Sequence, residues 1–135
     1  MTTSSVIAHL VSFIQVAGQL ELAGLVWQPE IGDEISYRKE PEMVSILVDP
    51  QGMTPIQLRS SYLWLPSVEQ MVVQLEARQA ILFHAGLELN EKALGYKTVI
   101  QSPIGAIESC AESFRLSMGL ALKGLLLADS SEIVH

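Results

Sequence analysis

Residues 62–78, YLWLPSVEQMVVQLEAR, carry the clearest structural signal in the chain. Ser67 and Gln70, directly after Pro66, have the spacing of a capping box, in which each of the two side chains satisfies a backbone N–H at the start of a helix. Apolar residues then recur along one helical face. They are Val68, Met71, Val72 and Leu75. The pattern predicts a helix over residues 67–78 that packs against the rest of the protein.

Large apolar side chains stand immediately before this predicted helix, in YLWL at residues 62–65. In one interpretation they form a hydrophobic entry, in which Trp64 or Leu65 packs on the helix and fixes its angle. In the other, Tyr62 and Trp64 are partly exposed and anchor a partner protein, because aromatic side chains combine rigid contact area with a polar group. Tyr62 and Trp64 are therefore the candidate partner-binding residues.

The composition predicts one globular domain over residues 1–135 and argues against nucleic acids and anionic membranes as partners. The chain has 135 residues, of which 49% are hydrophobic and 17% are charged, as in a folded domain. The 8 Lys and Arg residues stand against 15 Asp and Glu, for a net charge of −7. Because nucleic acids and anionic membranes are bound through clustered positive charges, we expect neither as a partner.

The cysteine content and the N-terminal segment bear on the compartment. Cys110 is the only cysteine, so the chain forms neither an internal disulfide nor a multi-cysteine zinc site. Residues 1–18 are apolar but lack a positively charged start, which argues against a signal peptide. Polar residues also interrupt this segment, which is too short and too polar to span a bilayer. A cytoplasmic location is the resulting expectation.

The first half of the chain predicts one helix and two or three strands. A helix capped by Ser4 or Ser5 is expected to end at Gly18. Alternation predicts short strands at 34–39 and 43–48, and the DPQG that follows is a turn signal. Residues 54–63 fit either a helix with a Thr54–Gln57 capping box or a strand. We favour the strand.

The second half predicts a hairpin followed by a long helix. Residues 80–88 alternate as in a strand, although they also extend the preceding helical pattern. We favour the strand because residues 96–101 offer a hairpin partner. Ser102 and Pro103 then fit the cap and first position of a helix over 103–127, and residues 128–135 are expected to fray. Together the elements predict an α+β fold, in which two helices pack on a small, mostly antiparallel sheet beside the N-terminal helix.

Two groups of side chains are candidates for chemistry. The PEIGDE segment at residues 29–34 supplies Glu30, Asp33 and Glu34, oxygen ligands that suit a hard cation, but their spacing matches no calcium loop. A solvated acidic loop is therefore expected, with no metal or cofactor. His84 would share a strand face with Leu82, Gly86 and Glu88. A histidine oriented by a carboxylate such as that of Glu88 is the arrangement of a general base.

No nucleophile motif accompanies that histidine, so we predict no catalytic residue. Cys110 lies on the apolar stripe of the predicted last helix, where burial would make its thiol inert.

The segments W-Q-P-E-I-G-D (27–33) and W-L-P-S-V-E-Q-M (64–71) are similar to small uncharacterised bacterial and phage-type domains. In those domains a W-L-P segment opens a helix that packs on a small sheet. The resemblance spans about residues 27–127. It implies a small α+β fold and assigns no catalytic residue.

These observations lead to two hypotheses about function. The favoured one is a non-enzymatic protein-interaction or regulatory module. The alternative is a small-molecule-binding or hydrolytic domain that uses His84 and the acidic loop at 30–34. We also predict a homodimer, because few residues of the chain are charged and the segment from Met1 to Leu20 contains no Asp, Glu, Lys or Arg. Its expected interface consists of leucines off the main stripe of the last helix, namely Leu116, Leu120 and Leu127.

Overall fold

The structure, a computed structural model, describes the backbone of residues 2–90 and 93–134, and the side chains of 12–89 and 94–129. It is a mixed α+β fold, which confirms the predicted class. The elements in chain order are α1 (Thr2–Leu22), β1 (Glu34–Tyr37), β2 (Glu40–Ile46), α2 (Pro55–Ser61), β3 (Tyr62–Trp64), α3 (Val68–Ala77), β4 (Ile81–Asn90), β5 (Ala93–Ser102), β6 (Gly105–Ala111) and α4 (Phe114–Val134).

The strands form two antiparallel sheets of three strands, where the sequence predicted one small sheet. The first has the order β2-β1-β3, and Ile35 of β1 lies opposite Trp64 of β3. The second is a meander in the order β4-β5-β6. The predicted strands at 34–39 and 80–88 are present, and so is the hairpin that pairs 80–88 with 96–101.

Capping boxes start both of the short helices. At α3, Ser67 Oγ accepts from Gln70 N at 3.1 Å and Gln70 Oε1 accepts from Ser67 N at 2.9 Å. At α2, Thr54 and Gln57 exchange the same pair of bonds. The favoured strand at 54–63 is therefore wrong up to residue 61, because Pro55 and the capping box satisfy the first turn of a helix. A strand does begin at Tyr62.

The predicted start of the last helix is also wrong. Ser102 Oγ donates to Gly105 O at 2.8 Å and accepts from Ile104 N, which closes a turn between β5 and β6. Gly105 has a φ of 123°, a conformation that glycine adopts without steric cost. Helix α4 begins only at Phe114, where Ser113 Oγ accepts from Leu116 N. Cys110 consequently lies on β6 and is exposed, not buried.

The terminal helices extend further than predicted. Helix α1 continues past Gly18 to Leu22, and the chain leaves it at Gly24, which has a φ of 109°. Helix α4 runs through the segment expected to fray, to Val134. The side chains of Ser4 and Ser5, the predicted caps of α1, lie outside the described side chains.

Helix α1 packs against α4 inside the chain. A Cβ built on Gly119 would stand 2.9 Å from Val16 Cγ1 and 3.2 Å from Phe13 Cε1, so only glycine allows this approach. The guanidinium of Arg115 lies 4.3 Å from the centre of the Phe13 ring. It also donates to the carbonyl oxygens of residues 65 and 66 and pairs with Glu34 at 2.6 Å. This one arginine therefore joins both terminal helices to the first sheet.

Candidate functional site

The acidic loop is a structural junction. Asp33 is only 5% exposed, which corrects the expected solvated loop at this residue. Its Oδ2 accepts from Trp27 Nε1 at 2.8 Å and from Glu30 N at 2.9 Å, and its Oδ1 accepts from Gln70 Nε2 at 2.7 Å. Gln70 thus both caps α3 and holds the loop. Glu34 is engaged with Arg115, so two of the three candidate carboxylates already have partners.

A cavity of about 230 Å³ lies beside this junction. Glu30, Asp33, Trp64 and Gln70 contribute to its lining, and His84 does not. Because the carboxylate of Asp33 already accepts three hydrogen bonds, it has little capacity left for a ligand. Among the residues that the structure describes, no group of three His, Cys, Asp or Glu side chains could hold a metal ion.

His84 and Glu88 lie on an exposed face of the second sheet. Their Nε2 and Oε2 atoms are 3.2 Å apart. The imidazole lies across Gly86, since a Cβ at that position would stand 3.4 Å from His84 Cε1. A bulge at Phe83 places Leu82 opposite Ile100 and His84 opposite Val99. His84 therefore shares a face with Gly86 and Glu88, as predicted, but not with Leu82.

The aromatic candidates before α3 pack inside the chain. Trp64 is 9% exposed, and its Nε1 has no hydrogen-bond partner among the described residues. Tyr62 is half-buried, with its ring edge-on to that of Tyr37 at a centroid distance of 5.1 Å. Leu65 is fully buried. The opening segment YLWL thus has the geometry of a hydrophobic entry to α3.

The leucines proposed for a dimer interface occupy different environments. Leu116 and Leu120 are partly buried against the core of their own chain. Leu127 is 48% exposed. Since α1 covers part of α4 within the chain, Leu116 and Leu120 offer less free surface than their positions in the sequence suggested.

Exposed apolar side chains concentrate instead on the β4–β5 hairpin. Leu87 is 55% exposed, Leu89 is 76% exposed and Leu94 is 62% exposed. Leu87 lies opposite Tyr96, and Leu89 lies opposite Leu94. Residues directly opposite in a sheet project from the same face, so these four side chains form one surface. We call it the hairpin face.

The hairpin face is exposed because the hairpin extends beyond the start of α4. Ser117 Oγ of α4 donates to Thr98 Oγ1 at 2.7 Å, which places α4 over the neighbouring part of the same sheet face. Phe114, the first residue of α4, stacks on Tyr96 with ring centroids 6.2 Å apart. The first residue of α4 therefore lies over Tyr96, and Leu87, Leu89 and Leu94 lie at or beyond that point of the sheet. They line one continuous apolar row at the end of the sheet.

Sequence reasoning missed the hairpin face because of the bulge at Phe83. Simple alternation places Ile81, Phe83 and Leu87 on one face. The extra residue reverses the alternation, so that Leu87 and Leu89 join the face that α4 covers. Ile81 and Phe83 remain on the other face, where they are also exposed. Nothing in the local sequence marks the position of this bulge.

Comparisons with protein-family models, with curated proteins and with solved structures find no match to this chain. The similarity to small bacterial and phage-type domains therefore stays a prediction, as does the cytoplasmic location. Within the described part of the chain, no helix has the length and apolar character needed to cross a membrane.

Proposed function

We propose that the chain is a non-enzymatic protein-interaction module whose hairpin face binds an apolar segment of a partner protein. The observation that carries this proposal is the row of leucines on that face, each more than half exposed. Contiguous exposed apolar surface is characteristic of protein-binding sites, because a monomer gains nothing by hydrating it.

The leucines give the proposal an energetic basis. Burying a leucine side chain that is otherwise exposed contributes about 1.5–3 kcal/mol. Covering the exposed parts of Leu87, Leu89 and Leu94 would therefore contribute several kcal/mol in total, before the entropic cost of association. Tyr96 adds an aromatic ring already fixed by its stack on Phe114, and a side chain held in place loses little entropy on binding.

The net charge defines the chemistry of the partner. With a charge of −7, the chain attracts segments that combine apolar side chains with lysine or arginine. We therefore propose an extended partner segment with alternating apolar and basic residues.

The alternative, a ligand-binding or hydrolytic site, has less support. His84 is not part of the cavity that Glu30 and Asp33 line, so the histidine and the carboxylates do not converge on one recess. Asp33 also serves three internal hydrogen bonds. Partner binding through Tyr62 and Trp64 is likewise disfavoured, because Trp64 is buried.

Isothermal titration calorimetry with a synthetic peptide amide of alternating leucine and lysine tests the proposal. We expect binding with a negative heat-capacity change, the signature of apolar burial. A peptide in which serine replaces every leucine serves as the charge-matched control and should not bind. Absence of measurable heat with the leucine peptide at millimolar concentration, at two well-separated temperatures, would refute the proposal.

A matched pair of variants locates the site. Leu89→Ser should weaken peptide binding roughly tenfold, since about one buried leucine is lost. Leu22→Ser changes a leucine that is 89% exposed at the end of α1 and should leave binding unchanged. Equal effects of both substitutions would place the site elsewhere.

A further inference from the structure

The free edge of β4 points to a second partner, another copy of this chain. We propose that two copies pair antiparallel along β4, about a two-fold axis at Gly86. In this arrangement His84 of each chain lies directly opposite Glu88 of the other. The inference goes beyond the proposed function, because the second copy occupies the strand edge and a partner segment occupies the hairpin face.

Strand β4 is longer than the other edge strands that the structure describes, β2, β3 and β6. Exposed edges invite pairing, and proteins discourage it with proline, charged residues or short strands. Strand β2 carries Pro41 between Glu40 and Glu42, and β3 has three residues. Strand β4 has ten residues, ILFHAGLELN, with neither proline nor lysine. Its bulge lies near its start, at Phe83, which leaves the stretch from His84 onward regular.

Strand β4 is also complementary to a second copy of itself. His84 and Glu88 lie symmetrically about Gly86 on one face, and their side chains already meet within the chain at 3.2 Å. An antiparallel copy centred on Gly86 presents each histidine with a carboxylate and each carboxylate with a histidine. A histidine directly opposite a carboxylate can hydrogen-bond to it across the strands, whereas like charges in the same positions destabilise a sheet.

The other face of β4 also fits this pairing. With the axis at Gly86, Ala85 of each chain lies opposite Leu87 of the second copy, and the two Leu87 side chains become diagonal neighbours. The two hairpin faces then join into one apolar surface across the axis. A closed two-fold pair also leaves no β4 edge free for further growth.

Charge variants studied by sedimentation equilibrium test both the edge and the register. The wild-type protein should have twice the 14.8 kDa mass of one chain at micromolar concentration. His84→Glu places two carboxylates opposite each other, and the double variant H84K/E88K places two lysines there. Each should raise the dimer dissociation constant roughly tenfold. His84→Lys alone places a lysine opposite each carboxylate and should retain the dimer.

Mixing the two weakened variants gives the decisive result. A heterodimer of His84→Glu with H84K/E88K has an acid opposite a base at both positions, so an equimolar mixture should recover the wild-type dissociation constant. A pair formed only within each chain cannot produce this recovery. Circular dichroism and thermal melting check that each variant is folded.

Three results would overturn the inference: a monomeric wild-type protein, unchanged dimers in both weakened variants, or a mixture no tighter than its components. None of them affects the peptide titration, so failure of the dimer and failure of the hairpin-face proposal are distinguishable.

Discussion

Replacing Asp33 by alanine should destabilise the protein more than any other change in the acidic loop. The substitution removes the acceptor for Trp27 Nε1, Gln70 Nε2 and Glu30 N. Trp27 is buried, so its N–H loses its partner without gaining water, at a cost of about 1–3 kcal/mol. The other two donors are partly buried and recover some hydration. We expect a total loss of about 3–5 kcal/mol in the free energy of unfolding.

Urea denaturation followed by tryptophan fluorescence measures this loss. For an m-value near ~2 kcal/mol per M, the midpoint should fall by about 2 M. Asp33→Asn keeps an acceptor oxygen and should cost less than half as much. Glu30→Ala keeps the backbone N–H that bonds to Asp33 and should change stability by less than about 0.5 kcal/mol. A loss below about 1 kcal/mol for Asp33→Ala would contradict the assigned role of the carboxylate.

Three further predictions test the packing of the terminal helices and the boundary of α4. Gly119→Ala should lower the free energy of unfolding by about 1–3 kcal/mol in urea, because the new methyl meets Val16. Gly18→Ala should raise it by about 0.5–1 kcal/mol, because no described atom outside the adjoining turns of α1 lies within 4 Å of the new Cβ. Arg115→Met should lower the free energy of unfolding by about 2–4 kcal/mol, because Glu34 loses its cation and two backbone carbonyls lose the donor from Arg115. Unchanged stability in thermal or chemical denaturation would contradict the role of Arg115 in joining the terminal helices to the first sheet. Cys110 is exposed on β6, so its thiol should react with an aromatic disulfide reagent as fast in the folded protein as in urea. A slower reaction in the folded protein would mean that the thiol is buried.

Local sequence patterns correctly predicted α3, β4 and β5, which depend mainly on interactions between residues close in the sequence. The capping box of Ser67 and Gln70 predicted α3, and alternation with a nearby partner strand predicted β4 and β5. The errors occurred where two local patterns competed. Residues 54–63 fitted a helix and a strand, and the capping box decided for the helix. Residues 105–111 fitted a helical stripe, but the Ser102 turn and Gly105 place them in β6.

The candidate sites depended on contacts that the sequence does not display. The bond between Gln70 and Asp33 joins residues far apart in the chain, so no spacing rule indicates it. The hairpin face depends on one bulge residue, Phe83, which reverses the alternation for the rest of β4. The approach of α1 to Gly119 covers part of the helix whose leucines off the main stripe suggested a dimer interface.

Our main proposal is that the hairpin face binds other proteins. A ¹H–¹⁵N correlation spectrum titrated with the leucine–lysine peptide tests it most directly, because every backbone amide reports separately. We expect the shift changes to concentrate at Leu87, Leu89, Leu94 and Tyr96 and at their sequence neighbours. Changes centred on Tyr62 and Trp64, or on the acidic loop at 30–34, would contradict it.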